Sequence, residues 1–549
     1  MTLKCLLGDF MEEYREMVRE RGRLYARIWA WRLALVSLPS CLAQSLGGAA
    51  GMMKNYFRTA WRNLRRQKFH SFINVFGLAA GITCTLLITV FVAHELRFDR
   101  HHEKSDRIYR IGNQFGRGIE NRGAYSVPPL AAALLDDFQE IEQAVRISPW
   151  ERHFLISAGD KQFLEKGLIF ADRSFFDVFT IPVVSGNLQT ALTNPDSVVL
   201  TRSASSKYFG TVDPLGKHLT LKELKKDFLI TAVMEDPPAE SHLQYDMIGS
   251  LNSLSSSRDP GWMGHCYMTY IVLKEGVSPA ELEKKFPHFI LKHYSPQFFA
   301  ETGKSYAEYV KSGDYFYGYH LQPLTDIHLN AALYDNLPRK GNKSLLFIFS
   351  TIAAFVLLIA CINFMNLSTL RFTHRSREVG MRKVLGAGRR QLIFQFLGES
   401  VLMSFFALGF SLIVVQVFLP VFSRLADRAL SFSLLGDIRI PFLLFGFALA
   451  LGLLSGLYPA LFLSSFRPIQ VVRGFRSGRG RGHIVLRRAL VVVQLSITVA
   501  VLFGTVVIYG QTIHLRSRDL GFRADHVVVI HRSRELKNSH TAFRQALLT

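Results

Sequence analysis

The chain has 549 residues, is 49% hydrophobic and 20% charged, and carries a net charge of +22 with a mean hydropathy of +0.17. So apolar a chain is not an ordinary soluble protein, and membrane spans alternating with polar domains are expected. The five cysteines, Cys5, Cys41, Cys84, Cys266 and Cys361, show no CxxC spacing and point to neither a disulfide framework nor a zinc site.

Residues 1–51 open as a charged, helix-like stretch, "GDFMEEYREMVRERGRLYARIWAWRLALVSLP". It drifts into an apolar patch of roughly fifteen residues, too short for a span and interrupted by Arg32 and Pro39. It lacks the early basic start and small-residue cleavage site of a signal peptide, and "GMMKNYF" from Gly51 resembles a second beginning. In residues 52–71, Phe57, Ala60, Trp61 and Leu64 recur at helical spacing with Lys and Arg opposite. That pattern predicts an amphipathic interfacial helix on an anionic leaflet.

The first span is expected at 72–96. Residues 97–343 then read as a polar, mixed α/β domain, in one or two lobes. Its strand-like runs include "SVVLT", "DFLITAVM" and "YMTYIVL"; its helix-like runs include "RSASSKYFG" and "SPAELEKKFPHFILKHY", the second with Ser278 as N-cap and Pro279 at the first position. At its entrance "FDRHHEKSD" gathers Asp99, His101, His102, Glu103 and Asp106. Adjacent histidines splay apart on a helix, so a solvated stalk helix is the better expectation than a metal site. "ETGKS" at Glu301 has Phe298 where a phosphate loop needs glycine, and no hydrolase motif occurs. No nucleotide, cofactor or catalytic site is expected in this chain.

Further spans are expected at 344–370, 392–422, 441–464 and 489–513, giving an α-helical transmembrane bundle of about five spans, each able to supply the roughly 20 apolar residues a bilayer demands. Basic residues cluster before the first span (Lys54, Arg58, Arg62, Arg65, Arg66, Lys68), between the second and third, and in the loop 465–488. These three places share one side, which the positive-inside rule makes cytoplasmic, leaving the large domain outside. Charge placed in loops between spans, not on one folded face, argues against nucleic acid.

The segment 371–391, "RFTHRSREVGMRKVLGAGRRQ", carries more than an anchor needs. Glu378 and Arg382 stand at i and i+4, an attractive order on a helix, with Val379, Met381, Val384 and Leu385 beside them. "GAGRR" breaks that helix and restarts it into the third span. A short rigid element held between two spans suits docking to a partner. There is also an internal echo: "LRRQKFHSFINVFG" from Leu64 is similar to "LRRALVVVQLSITV" from Leu486, as though a second unit starts there and residues 514–549 open a truncated second outer domain.

The stretch Asn363 to Ser400, with R-x-R-E-V-G-x-R-K-x-L-G-A-x-R-x-Q-L from Arg375 and Glu399-Ser400, closely resembles the cytoplasmic segment of MacB/FtsX-type ABC transporter permeases. "NYFRTAWRNLRRQKFHSFINVFGLAAGI" resembles their opening, "ELRFDRHHEKSDRIYRI" their entry into the periplasmic core domain, and residues 1–51 a partial permease prefix segment. The resemblance implies a multi-pass protein of the bacterial inner membrane, N-terminus cytoplasmic, with a separate ATP-binding (ATPase) subunit as partner. It implies mechanotransmission, in which closure of the ATPase is passed through the spans to the outer domain for export or extraction of a substrate. Arg375, Arg377, Glu378, Gly380, Arg382 and Lys383 match the coupling helix that docks on the ATPase. A homodimer or permease heterodimer and a periplasmic adaptor are further partners it implies. The competing expectations are a membrane-anchored sensor or scaffold without transport, and an outer-face enzyme, for which no site is legible.

Overall fold

The computed structural model describes Arg62 and residues 68–116, 122–148, 153–312, 317–330, 340–370, 379–432, 436–464, 481–518 and 539–548. The prefix segment, nearly all of the expected interfacial helix, residues 465–480 of the basic loop and the strand-like opening of the second repeat lie outside the described residues.

Helix α1 (Lys68–Leu96) crosses first. The stalk expected after it is not a helix and is solvated only in part: His101, Glu103 and Asp106 are exposed. The chain turns at Asp99, whose φ of 59° a short polar side chain tolerates, and folds back onto the domain. Asp99 and His102 are buried. Asp99 Oδ1 accepts from the His242 backbone N–H (3.0 Å) and lies 2.8 Å from His242 Nδ1, while His242 Nε2 lies 2.9 Å from the Tyr270 hydroxyl. Burial alone would push the Asp99 carboxyl up; the facing His242 and its hydrogen bonds offset this and hold it below its usual range. Burial, reinforced by His101, drives His102 down to about 3, so its imidazole is neutral. Among the described residues no group of three or more His, Cys, Asp or Glu has metal-holding geometry.

The domain that follows is built in chain order from β1 (Ile108–Phe115), β2 (Arg122–Gly123), α2 (Leu130–Asp137), β3 (Ile141–Ile147), β4 (Phe154–Ala158), β5 (Lys161–Glu165), β6 (Leu168–Ala171), β7 (Val183–Gly186), β8 (Ser197–Thr201), α3 (Arg202–Phe209), β9 (His218–Leu221), β10 (Lys226–Met234), β11 (Met247–Ser250), β12 (Met268–Leu273), α4 (Pro279–Glu283), α5 (Phe286–Thr302) and β13 (Tyr317–Pro323). β8 is buried throughout and pairs in parallel with β10, with α3 in the crossover between them. Thr201 caps α3 by accepting from the Ala204 N–H (3.2 Å), and Gly210, at a φ of 66°, ends it. The expected single helix from Ser278 is two, parted at Lys284 and Lys285, and the Ser278 hydroxyl makes no capping bond. On α5, Phe286, Phe289, Ile290, Tyr294 and Phe298 form one apolar face against Ile111, Ile271, Tyr317 and Tyr319 of the sheet.

The strands form one mixed sheet in the order β13-β1-β12-β3-β6-β11-β8-β10-β9-β4-β5. It has two halves, joined where β3 meets β6 through a single residue pair, Ile147 with Ala171. Arg146 reinforces that seam. Its Nε and Nη2 donate to the two carboxylate oxygens of Asp172 (both 2.9 Å), and its Nη1 donates to the carbonyls of Pro128 (2.7 Å) and Ser257 (2.9 Å). A bidentate, largely buried Arg–carboxylate pair is costly to break from one side. Arg146→Ala should therefore destabilise this domain by about 3 kcal/mol, a fall in Tm of roughly 6–12 °C. Thermal unfolding followed by near-UV circular dichroism tests this, and an unchanged Tm would mean that the seam does not depend on the clamp.

Past the domain come α6 (Lys343–Leu370), α7 (Arg389–Ala426), α8 (Arg439–Ser464) and α9 (Arg481–Ser517). With α1 these are the five helices, among the described residues, long and apolar enough to cross a membrane. Small residues and hydroxyls set their packing, as is usual where lipid offers no hydrophobic drive. Gly81 of α1 lies against Ala360 of α6; Gly452 and Gly456 of α8 lie against Val401, Ser404 and Ser400 of α7. The Ser404 hydroxyl donates to the Ala448 carbonyl (2.7 Å), and the Ser411 hydroxyl to the Ala79 carbonyl (2.9 Å). Helix α9 packs along α6, and its Val, Leu and Phe side chains are largely exposed, as lipid-facing residues would be.

Candidate functional site

The segment between α6 and α7 lies at the end of the bundle opposite the mixed domain. Residues 371–378 lie outside the described residues, and with them Arg375, Arg377, Glu378 and the expected Glu378–Arg382 pair. Residues 379–384 form a short helix. It ends in a Schellman arrangement: the Ala387 N–H donates to the Arg382 carbonyl (2.9 Å) and the Gly386 N–H to the Lys383 carbonyl (3.1 Å). That motif needs a left-handed residue, and Gly386, at a φ of 93°, supplies it. Two residues on, the Gly388 N–H donates to Gln391 Oε1 (3.1 Å) and α7 begins.

The short helix is braced on its inner face. Val379 is buried among Leu392 and Phe396 of α7 and Ala460 of α8, with Gly380 buried beside it. Arg382 Nη1 donates to Gln395 Oε1 on α7 (2.5 Å), and Lys383 Nζ to the Ser464 carbonyl at the end of α8 (2.6 Å). Partial burial, with Arg389 nearby, lowers the Lys383 pKa. Of the residues expected to meet a partner, Arg382 and Lys383 thus each reach onto the bundle. The outward face is apolar: Met381, Val384 and Leu385 are 68, 71 and 81% exposed, with Arg389 and Arg390 exposed beyond them. Exposed apolar side chains rimmed by charge are typical of an interface. Helical spacing groups Met381, Val384 and Leu385, but does not say which side of the helix the bundle covers.

Fold and segment together define a multi-span membrane protein with one large mixed domain and a braced helical segment at the opposite end of its bundle. Residues 71–288 match the family of MacB-like periplasmic core domains, and residues 350–468 the FtsX-like permease C-terminal family. The chain belongs to the MacB/FtsX-type ABC transporter permeases. It is 34% identical over 134 residues to the macrolide export ATP-binding/permease protein MacB of Bdellovibrio bacteriovorus, covering 24% of this chain and 20% of that one. It is 22% identical over 445 residues to the pyoverdine export ATP-binding/permease protein PvdT of Pseudomonas putida, covering 78% of this chain and 60% of that one. The chain thus spans less than two thirds of the length of either relative. Among solved structures, a permease-protein domain from Porphyromonas gingivalis is similar at 21% identity with a TM-score of 0.34, covering 45% of this chain and 99% of that one.

Proposed function

We propose that this chain is the transmembrane subunit of an ABC exporter or extractor, driven by a separate ATP-binding subunit that docks on the 371–391 segment. The observation that carries this reading is the exposed Met381, Val384 and Leu385 face on a helix whose other side is bonded to both α7 and α8. A displacement imposed on that face is delivered to two membrane helices at once. The charges between the spans support a cytoplasmic segment and N-terminus and a periplasmic core domain. The docking segment carries Arg375, Arg377 and Glu378 with the exposed apolar face, and Gly380, Arg382 and Lys383 seat it on the bundle. Nucleotide chemistry is assigned to the partner, substrate handling to the core domain, and a second permease chain and a periplasmic adaptor to the assembly.

The test is reconstitution of the full-length protein with the ATP-binding subunit that co-purifies with it. Arg382→Glu replaces the donor to Gln395 with an acceptor and should lower permease-stimulated ATPase activity at least fivefold, while membrane insertion is unchanged. Undiminished stimulated ATPase activity would remove the docking role. If no ATP-binding protein co-purifies, the sensor or scaffold reading takes its place.

A further inference from the structure

The core domain is covalently joined to two spans: the chain enters it from α1 and leaves it into α6. Helix α7 has no such connection, yet its outer end is bonded to Glu95 in the last turn of α1, and through Glu95 to His328 of the domain. Arg428 Nε donates to Glu95 Oε1 (2.6 Å), and Glu95 Oε2 accepts from His328 Nε2 (2.8 Å). The Glu95 and His328 side chains are each 2% exposed. His328 follows β13 closely in the domain, and its ring lies flat on Phe98, with centroids 3.4 Å apart and planes 3° apart. Gly341, where the chain turns into α6, closes the node: a Cβ there would lie 2.6 Å from Glu95 Oε2 and 2.7 Å from His328 Nε2.

We propose that α7 is a rod that carries movement of the 379–384 segment to the core domain, and that Arg428, Glu95 and His328 are its outer coupling. The idea rests on the docking role proposed for that segment. Helix α7 has 38 residues, about 57 Å at 1.5 Å per residue, well beyond the roughly 30 Å of hydrocarbon it must cross. At its inner end it holds Val379 and Arg382. At its outer end Arg428 is fixed to the helix: the Arg428 N–H donates to the Ser423 carbonyl (3.1 Å), and the Leu430 N–H to the Ser423 hydroxyl (3.1 Å). A buried carboxylate that loses one of its donors is strongly disfavoured, so Glu95 follows Arg428 when α7 moves. The domain follows Glu95 through His328. Arg428, Glu95 and His328 are positioning residues in this scheme.

Paired spin labels in a cysteine-free form of the protein, reconstituted with its co-purifying ATP-binding subunit, test the rod. Labels at Ile438 on the outer end of α8 and Leu425 on α7 report movement of the rod; labels at Ile438 and Val212 report movement of the domain. All three positions are exposed. In the unsubstituted protein both distances should shift between nucleotide-free and ATP-bound states. In Arg428→Ala and in the near-isosteric Glu95→Gln, the 438–425 shift should persist while the 438–212 shift falls to less than half. A full 438–212 shift in both variants overturns the proposal. Loss of the 438–425 shift in both overturns it too, because the node would then be part of the bundle's own structure. Absence of a 438–425 shift in the unsubstituted protein overturns instead the docking role on which the rod depends.

Discussion

Replacing both Met381 and Leu385 with aspartate should weaken binding of the ATP-binding subunit at least a hundredfold and leave the chain inserted in the membrane. Both side chains stand on the outward face of the 379–384 helix and its last turn. Burying a Met or Leu at an interface contributes about 1.5–3 kcal/mol each, and a hundredfold change in Kd is about 2.8 kcal/mol. Aspartate removes the apolar contact and adds the cost of desolvating a carboxylate, so the two changes together exceed that threshold. Neither residue belongs to the cluster that seats the segment, which is built on Val379, Leu392, Phe396 and Ala460. The bundle should therefore be unaffected. Titration of the ATP-binding subunit onto the protein in nanodiscs reads the affinity directly. An unchanged Kd would move the docking surface elsewhere, and a folding defect would show as a lost monodisperse peak before any titration.

Gly452→Leu should open the bundle from within. A Cβ at Gly452 would lie 2.6 Å from the Val401 Cα and 2.7 Å from the Ser404 hydroxyl oxygen. The first of these is backbone and cannot rotate away, so α7 and α8 must part. Overpacking of this kind costs about 1–3 kcal/mol, and the Ser404 to Ala448 bond is lost in addition. The consequence reaches the candidate site, because the pocket for Val379 is formed by these same two helices. Two results are expected together: a Tm lower by several degrees, and faster tryptic cleavage around Arg382 and Lys383. Gly446→Ala is the control, since a Cβ at Gly446 of the same helix meets nothing within 4 Å. Equal behaviour of the two variants would show that the close approach at Gly452 is not limiting.

What local chemistry dictates was legible in the sequence. The spans could be read because a bilayer leaves a helix no alternative to a long apolar run. The β8 and β10 strands and the stop at Gly386 could be read because each depends on neighbours only a few residues away, whereas the cap expected at Ser278 is not made. The stalk was misread for the opposite reason: Asp99 looks solvated until His242, 143 residues away, provides a buried partner, and His102 until the Thr180 N–H does. The Arg146 clamp at the sheet seam, the direction in which the 379–384 helix faces, and the bond from Arg428 to Glu95, 333 residues apart, were likewise settled only in three dimensions. Periodicity says which residues share a face, and burial of a charge requires a partner. Which face is covered, and which partner arrives, depends on contacts between elements remote in the chain, and those exist only once the bundle and the domain have packed.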